Sequence, residues 1–326
     1  MTGHRILQWL SLLSILAMAF PAAPVQANSP AAPAPVPAVQ QVYSPCKNRV
    51  NIQEEDMDWL FVPETASQLQ TNLPSAFLAG QLIKNKVVNA ENCPSGGLQA
   101  DGYANPCGLA VAKPYTDQVQ NMYDEAILEA WRDTGVPPVM LKQLIRYESQ
   151  FWPGQFGEAH YGLGHLTYYG AITGLTWYPP LRAEICTISG DCGSPLIDIQ
   201  AMTLLSLMDV TCPTCAMKID LERARRSVHY LAEVLLGHCY QVSQVVFNVA
   251  GIPSSSVVDY ATIWKLTLFS YNAGPTCVYE AVNEAYETFP GGMGWRNIRN
   301  FIRGDQCIRG ETYVDQITER FYQFTQ

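Results

Sequence analysis

The stretch Pro137–Phe151, PPVMLKQLIRYESQF, decides how the chain is read. Paired prolines suit a first helical turn, where a missing N–H has no partner to lose. The helix they open must end near Phe151, because Pro153 and Gly154 follow and a residue before proline is driven out of the helical region. Leu141, Leu144, Ile145 and Glu148 recur at three- and four-residue spacing and share one face. Glu148 thereby takes a position its own helix reserves for buried side chains. Burial resists ionisation of a carboxyl, and the free carbonyls of the last turn add partial negative charge that acts in the same direction. Both effects raise its pKa, as a general acid working near neutral pH requires. A slightly rotated helix would instead leave Glu148 solvated at the rim.

Helical patterns continue on both sides. Val119, Met122, Ala126, Ile127, Ala130 and Trp131 make one stripe, stopped by Gly135. Leu221, Ala224, Val228, Leu231 and Leu235 make another, with Asp220 as N-cap. Tyr260, Trp264, Leu268 and Tyr271 lie along a helix that Gly274 and Pro275 end, and Val314, Ile317, Phe321 and Phe324 form a last stripe. Strand patterns are scarce, so the fold class is mainly α.

The chain has 326 residues, nearly half of them apolar, enough for a sizeable core. Its formal charge of −9 and lack of a basic stripe exclude an ordinary nucleic-acid binder. His4 and Arg5 precede an apolar run, Ile6–Phe20, and small residues follow to Ala27. This pattern predicts a signal peptide over 1–27, cleaved before Asn28. Fifteen helical residues reach about 22 Å, short of the roughly 30 Å of a hydrocarbon core, so no integral span is expected after cleavage. Residues 28–44 are a Pro/Ala-rich linker, semi-rigid and extended. Residues 45–112 form a Cys-containing extension, with Cys93 and Cys107 closing a Gly- and Pro-rich loop, and 113–326 the helical domain. An even count of ten cysteines in an exported chain favours disulfides. Cys212-Pro-Thr-Cys215 can also be read as a redox pair or half a zinc site, but no second CxxC completes a standard spacing.

The motifs in order carry a resemblance. Tyr147-Glu148-Ser149-Gln150-Phe151, Gly162-Leu163-Gly164-His165-Leu166-Thr167, Ser270-Tyr271-Asn272-Ala273-Gly274-Pro275 and Glu311-Thr312-Tyr313-Val314 together resemble the signatures of the soluble lytic transglycosylase domain family. The resemblance runs from about Pro137 to Phe324. It implies a lysozyme-like helical domain that cleaves the β-1,4 bond between N-acetylmuramic acid and N-acetylglucosamine in peptidoglycan, leaving a 1,6-anhydromuramoyl product. It implies Glu148 as the catalytic acid and base, Tyr271 as the phenol that bonds it, and Asn272, His165, Gly164 and Leu163 as the lining of the sugar sites. No metal or organic cofactor is implied, and the compartment is secreted or periplasmic. Gly164 and His165 stand where the family has Met and Gln, which puts the sugar contacts of those side chains in question.

Two other readings stay open. In a hydrolytic muramidase of the goose-type lysozyme kind, Glu158, Asp191 or Asp198 would position water. In a non-catalytic glycan-binding envelope protein, only the fold would be kept. Trp59, Trp152, Trp177 and Trp295 are candidates for stacking on sugars, though most such side chains are core or rim aromatics.

Overall fold

The structure is a computed structural model that describes residues 46–47, 58–155, 157–193 and 197–318. The expected signal peptide (1–27) and linker (28–44) lie outside the described residues. The described chain is mainly helical and holds no strand, only three isolated bridges. In order the helices are α1 (Ala76–Lys84), α2 (Pro106–Asn121), α3 (Asp124–Thr134), α4 (Pro138–Ser149), α5 (Tyr168–Trp177), α6 (Pro179–Ser189), α7 (Asp198–Met208), α8 (Leu221–Ala250), α9 (Tyr260–Ala273), α10 (Pro275–Thr288), α11 (Trp295–Arg299) and α12 (Asp305–Thr318). Among the described residues, no helix is long and apolar enough to cross a membrane.

The axis of the fold is α8. Its 30 residues span about 45 Å at helical rise. Asp220 caps it by accepting from the Arg223 N–H, and Gly251 ends it in the left-handed region. Ala224, Val228, Leu231, Leu235, Val242 and Val246 are all buried along its length, as three- and four-residue spacing dictates. Helices α3, α5, α7, α9 and α10 pack around it. At the α5 crossing, a Cβ added to Gly237 would lie 2.8 Å from the Gly174 Cα. Only glycine lets the two backbones meet there.

Sequence periodicity merged two helices into one. The stripe from Val119 to Trp131 is broken at Met122 and Tyr123, where α2 ends and α3 begins. The expected boundary between 112 and 113 falls inside α2. That helix begins at Pro106 and carries Pro114 internally. Pro114 and the Ala110 four residues before it are both exposed, so the carbonyl that loses its helical partner is not stranded in the core. Trp59, Leu60, Leu69, Leu78, Leu82 and Ala112 join the same apolar core as α8. Residues 58–112 therefore share one core with the rest of the described chain.

Five disulfides pair all ten cysteines, which suits an oxidising compartment. Cys46 is fastened to Cys239 in the middle of α8 across 193 residues. Closing so long a loop contributes on the order of 5 kcal/mol in the chain-entropy account. Cys277–Cys307 joins α10 to α12, Cys93–Cys107 closes the turn before α2, and Cys186–Cys192 and Cys212–Cys215 clip local loops. Cys212-Pro-Thr-Cys215 is thus a bridged pair.

A buried ion pair locks the start of the fold. The Lys142 ammonium on α4 lies 2.6 Å from Asp124 Oδ1 on α3, with side-chain exposures of 1% and 4%. It also donates to the Leu69 carbonyl at 2.5 Å and to Asn121 Oδ1 at 3.1 Å. A charge that deep is tolerable only with this complete set of acceptors.

Candidate active site

Packing of α12 against α4 positions the site. Glu148 lies in the last turn of α4, and its side chain is 16% exposed. The helix stops there because Gln150 and Phe151 both turn left-handed (φ 47° and 68°), which sends Phe151 into the core. Ser75 holds the turn by donating to Gln150 Oε1 at 2.6 Å.

Two side chains meet the carboxyl, one at each oxygen. Tyr313, on α12 and 1% exposed, donates its hydroxyl hydrogen to Oε1 at 2.6 Å. His165 brings Nδ1 to 3.6 Å from Oε2. Burial pushes Glu148 up to about 7, and the Tyr313 hydrogen bond offsets part of that rise. His165 is pushed down to about 4, by burial and by His160 beside it, so it is a neutral imidazole at pH 7 and the contact is not an ion pair. An Oε1 that accepts from Tyr313 leaves the acid proton to Oε2. The proton that Glu148 can give is on the His165 side.

The segment that carries His165 is a tight turn. Tyr161 and Leu166 exchange backbone hydrogen bonds at 3.0 and 2.9 Å, and the His165 N–H donates to the Gly162 carbonyl. His165 adopts φ 48°, a conformation that histidine visits more readily than most residues. Gly164 leaves no room for a side chain, since a Cβ would sit 2.4 Å from Leu231 Cδ1 and 3.0 Å from the Tyr271 hydroxyl. Tyr271, near the end of α9, donates to the Gly164 carbonyl at 2.7 Å.

This geometry corrects the sequence expectation for the phenol. Tyr271 has one hydroxyl hydrogen, and it goes to Gly164; the phenol that bonds Glu148 is Tyr313. Tyr271 is still close enough that the Glu148 charge, after burial, helps raise its pKa. Leu163 is also placed differently. Its side chain is fully buried in the core and offers a ligand nothing but backbone. Asn272 is exposed in the last turn of α9. Gly164 acts through the space it leaves for Leu231 and Tyr271.

The alternative carboxylates differ in their surroundings, and Glu158 belongs to the loop whose His160 stands 5.9 Å from His165, ring to ring. Glu158 is exposed, and Asp198, also exposed, accepts a hydrogen bond from the Tyr168 hydroxyl. Asp191 is half-buried beside the Cys186–Cys192 loop. Trp59, Trp152 and Trp295 are buried and cannot present a face to a sugar; Trp177 is half-buried. An aromatic that the sequence reading gave no role is better placed. Tyr147, 46% exposed, stands edge-on to Tyr313 with ring centroids 5.1 Å apart. Tyr313 stands within the Glu311–Val314 motif, yet nothing in its spacing says which helix it faces. The neighbouring Glu311 and Asp315 bind Arg299 of α11 at 2.8 and 3.0 Å, fixing the helix from which Tyr313 projects.

Among the described residues, no group of three or more His, Cys, Asp or Glu side chains is arranged to hold a metal ion. Comparison with known protein families, with characterised proteins and with solved structures gives no match.

Proposed function

We propose that the chain is a peptidoglycan lytic transglycosylase of lysozyme-like fold, acting outside the cytoplasm on glycan strands. The observation that carries this reading is the Glu148 carboxyl, largely shielded from water, raised to about 7 and held at one oxygen by Tyr313. Such a group gives a proton and takes one back near neutral pH. A glycosidase of the two-carboxylate kind needs a second acid at a set distance, whereas the partners of Glu148 are a phenol and an imidazole.

In this mechanism Oε2 protonates the glycosidic oxygen, and the bond to the muramoyl C1 breaks. The carboxylate left behind takes the proton of the muramoyl C6 hydroxyl as that oxygen closes on C1. Glu148 ends as it began, and the substrate supplies its own nucleophile. Tyr313 keeps Oε1 occupied throughout, which directs both transfers through Oε2. In this reading neutral His165, 3.6 Å from Oε2, holds the reacting hydroxyl. The disulfides and the N-terminal export pattern support a secreted or periplasmic location.

Mass spectrometry of muropeptides released from purified sacculi tests the proposal. The expected products are anhydromuropeptides, absent with Glu148→Gln. Products carrying an added water indicate hydrolysis instead, and sacculi bound without release of soluble fragments indicate a glycan-binding protein.

A further inference from the structure

Cys212 and Cys215 are joined across two residues, the shortest of five disulfide loops; the others span 6, 14, 30 and 193 positions. Closing so short a loop removes little chain entropy, so opening it costs the fold least. Both cysteines are only half-buried, and Thr211, Pro213, Thr214 and Ala216 around them are exposed. Cys46 and Cys239, by contrast, are sealed in the core.

Backbone hydrogen bonds hold the loop alongside the sulfur–sulfur bond. Thr211 and Ile219 form a bridge. The Cys212 N–H donates to the Lys218 carbonyl at 2.9 Å, Cys215 to Cys212 at 3.2 Å, and Lys218 to Cys215 at 3.2 Å. At its base, the Asp220 N–H donates to Val210 and the Val210 N–H to Pro153. Two thiols at 212 and 215 would therefore stay side by side, ready to close again. Met217 and Lys218 are both left-handed (φ 57° and 59°), and this folds Lys218 back so that Nζ donates to the Pro213 carbonyl at 2.6 Å. A cation thus lies against the turn that links the two sulfurs, an environment that favours thiolate. The Cys186–Cys192 loop differs. Cys186 is half-buried and Cys192 exposed, but the cation in its network, Arg182, donates to Gln200 and not to the turn that links the two sulfurs.

We propose that Cys212–Cys215 is a thiol–disulfide exchange site, a second activity independent of glycan cleavage. A donor thiolate attacks one of the two sulfurs, forming a mixed disulfide while the other cysteine leaves as a thiolate in the field of Lys218. A second donor thiolate then attacks the donor's sulfur in that mixed disulfide. The donor leaves oxidised, and the protein holds two thiols, having taken up two electrons and two protons. The donor class is a small or peptide thiol that reaches an exposed turn.

The test uses the full chain in buffered glutathione at pH 7, quenched with acid and alkylated with N-ethylmaleimide before peptide mapping. Cys212 and Cys215 are expected to be labelled at least tenfold faster than the other eight cysteines, with thermal unfolding little changed. Lys218→Met should slow their labelling several-fold, and Lys218→Arg should restore it. Opening of Cys186–Cys192 first, opening of all five bridges together, or a Lys218→Met rate equal to wild type would each overturn the proposal.

Discussion

Tyr313 on α12 donates a 2.6 Å hydrogen bond to Glu148 Oε1 on α4, across 165 residues of sequence. The bond lowers the carboxyl's affinity for its proton, against burial, which raises it. It also decides which oxygen is free to react. Tyr313→Phe therefore has two separable effects. Loss of a hydrogen bond to a charged group is worth about 1.5–3 kcal/mol, or roughly ten- to a hundredfold in kcat/KM for wall lysis. The alkaline limb of the pH–rate profile, where the acid loses its proton, should move to higher pH. A profile with an unmoved alkaline limb would contradict the assignment.

Gly164→Ala tests the turn that carries His165. The new Cβ must displace Leu231 or the Tyr271 hydroxyl, an overpacking cost of about 1–3 kcal/mol. Stability measured in urea should drop within that range, while lysis falls further because the imidazole moves away from Oε2. Unchanged activity at reduced stability would remove the turn from the account.

Glu233 on α8 is a buried acid that the proposed chemistry does not use. Its side chain is 8% exposed, and burial, then Glu184 and Asp133, push it up to about 7. A carboxyl whose folded pKa exceeds its unfolded value stabilises the fold at low pH and loses that contribution as pH rises from about 4.5 through 7. Glu148 acts in the same sense. His238, pushed down to about 3 by burial, acts oppositely, its share complete above about 6.5 and lost toward acid. Glu233→Gln should therefore stabilise the protein more at pH 8 than at pH 5, by about 1–3 kcal/mol. Calorimetric melting at the two pH values reads this directly.

Lys142 and Asp124 form the buried pair of the fold. Burial lowers Lys142 to about 8 and raises Asp124 to about 6, each partly restored by the other. Lys142→Met leaves a lone buried carboxylate and should cost about 3–5 kcal/mol at neutral pH. Adding Asp124→Asn should recover much of that loss. A double variant no better than the single one would mean the cost lies in packing, not in the orphaned charge.

Local patterns carried the helices into the sequence reading. Pro137-Pro138 opens α4, Asp220 caps α8 and Gly135 ends α3, each because a backbone group at a helix end needs a particular partner or angle. The same logic missed the break at Met122, where no proline or glycine marks the turn. It also placed a boundary near Pro114, whose exposed position lets the helix continue. Glu148 was legible because its own helix shows its face. Its partner was not, since Tyr271 lies on an apolar stripe and Tyr313 only within a motif, and neither pattern states which one crosses to α4. Pairings such as Cys46 with Cys239 are equally beyond local pattern, being set by how the helices pack around α8.

The central physical claim is that one carboxyl keeps its proton near neutral pH beside a phenol. Carbon-13 NMR titration of the Glu148 side-chain carboxyl, assigned by its absence in Glu148→Gln, measures this in the free protein. A midpoint at about 7 is the expected result; a midpoint in the ordinary glutamate range, about 4.3, would contradict the account.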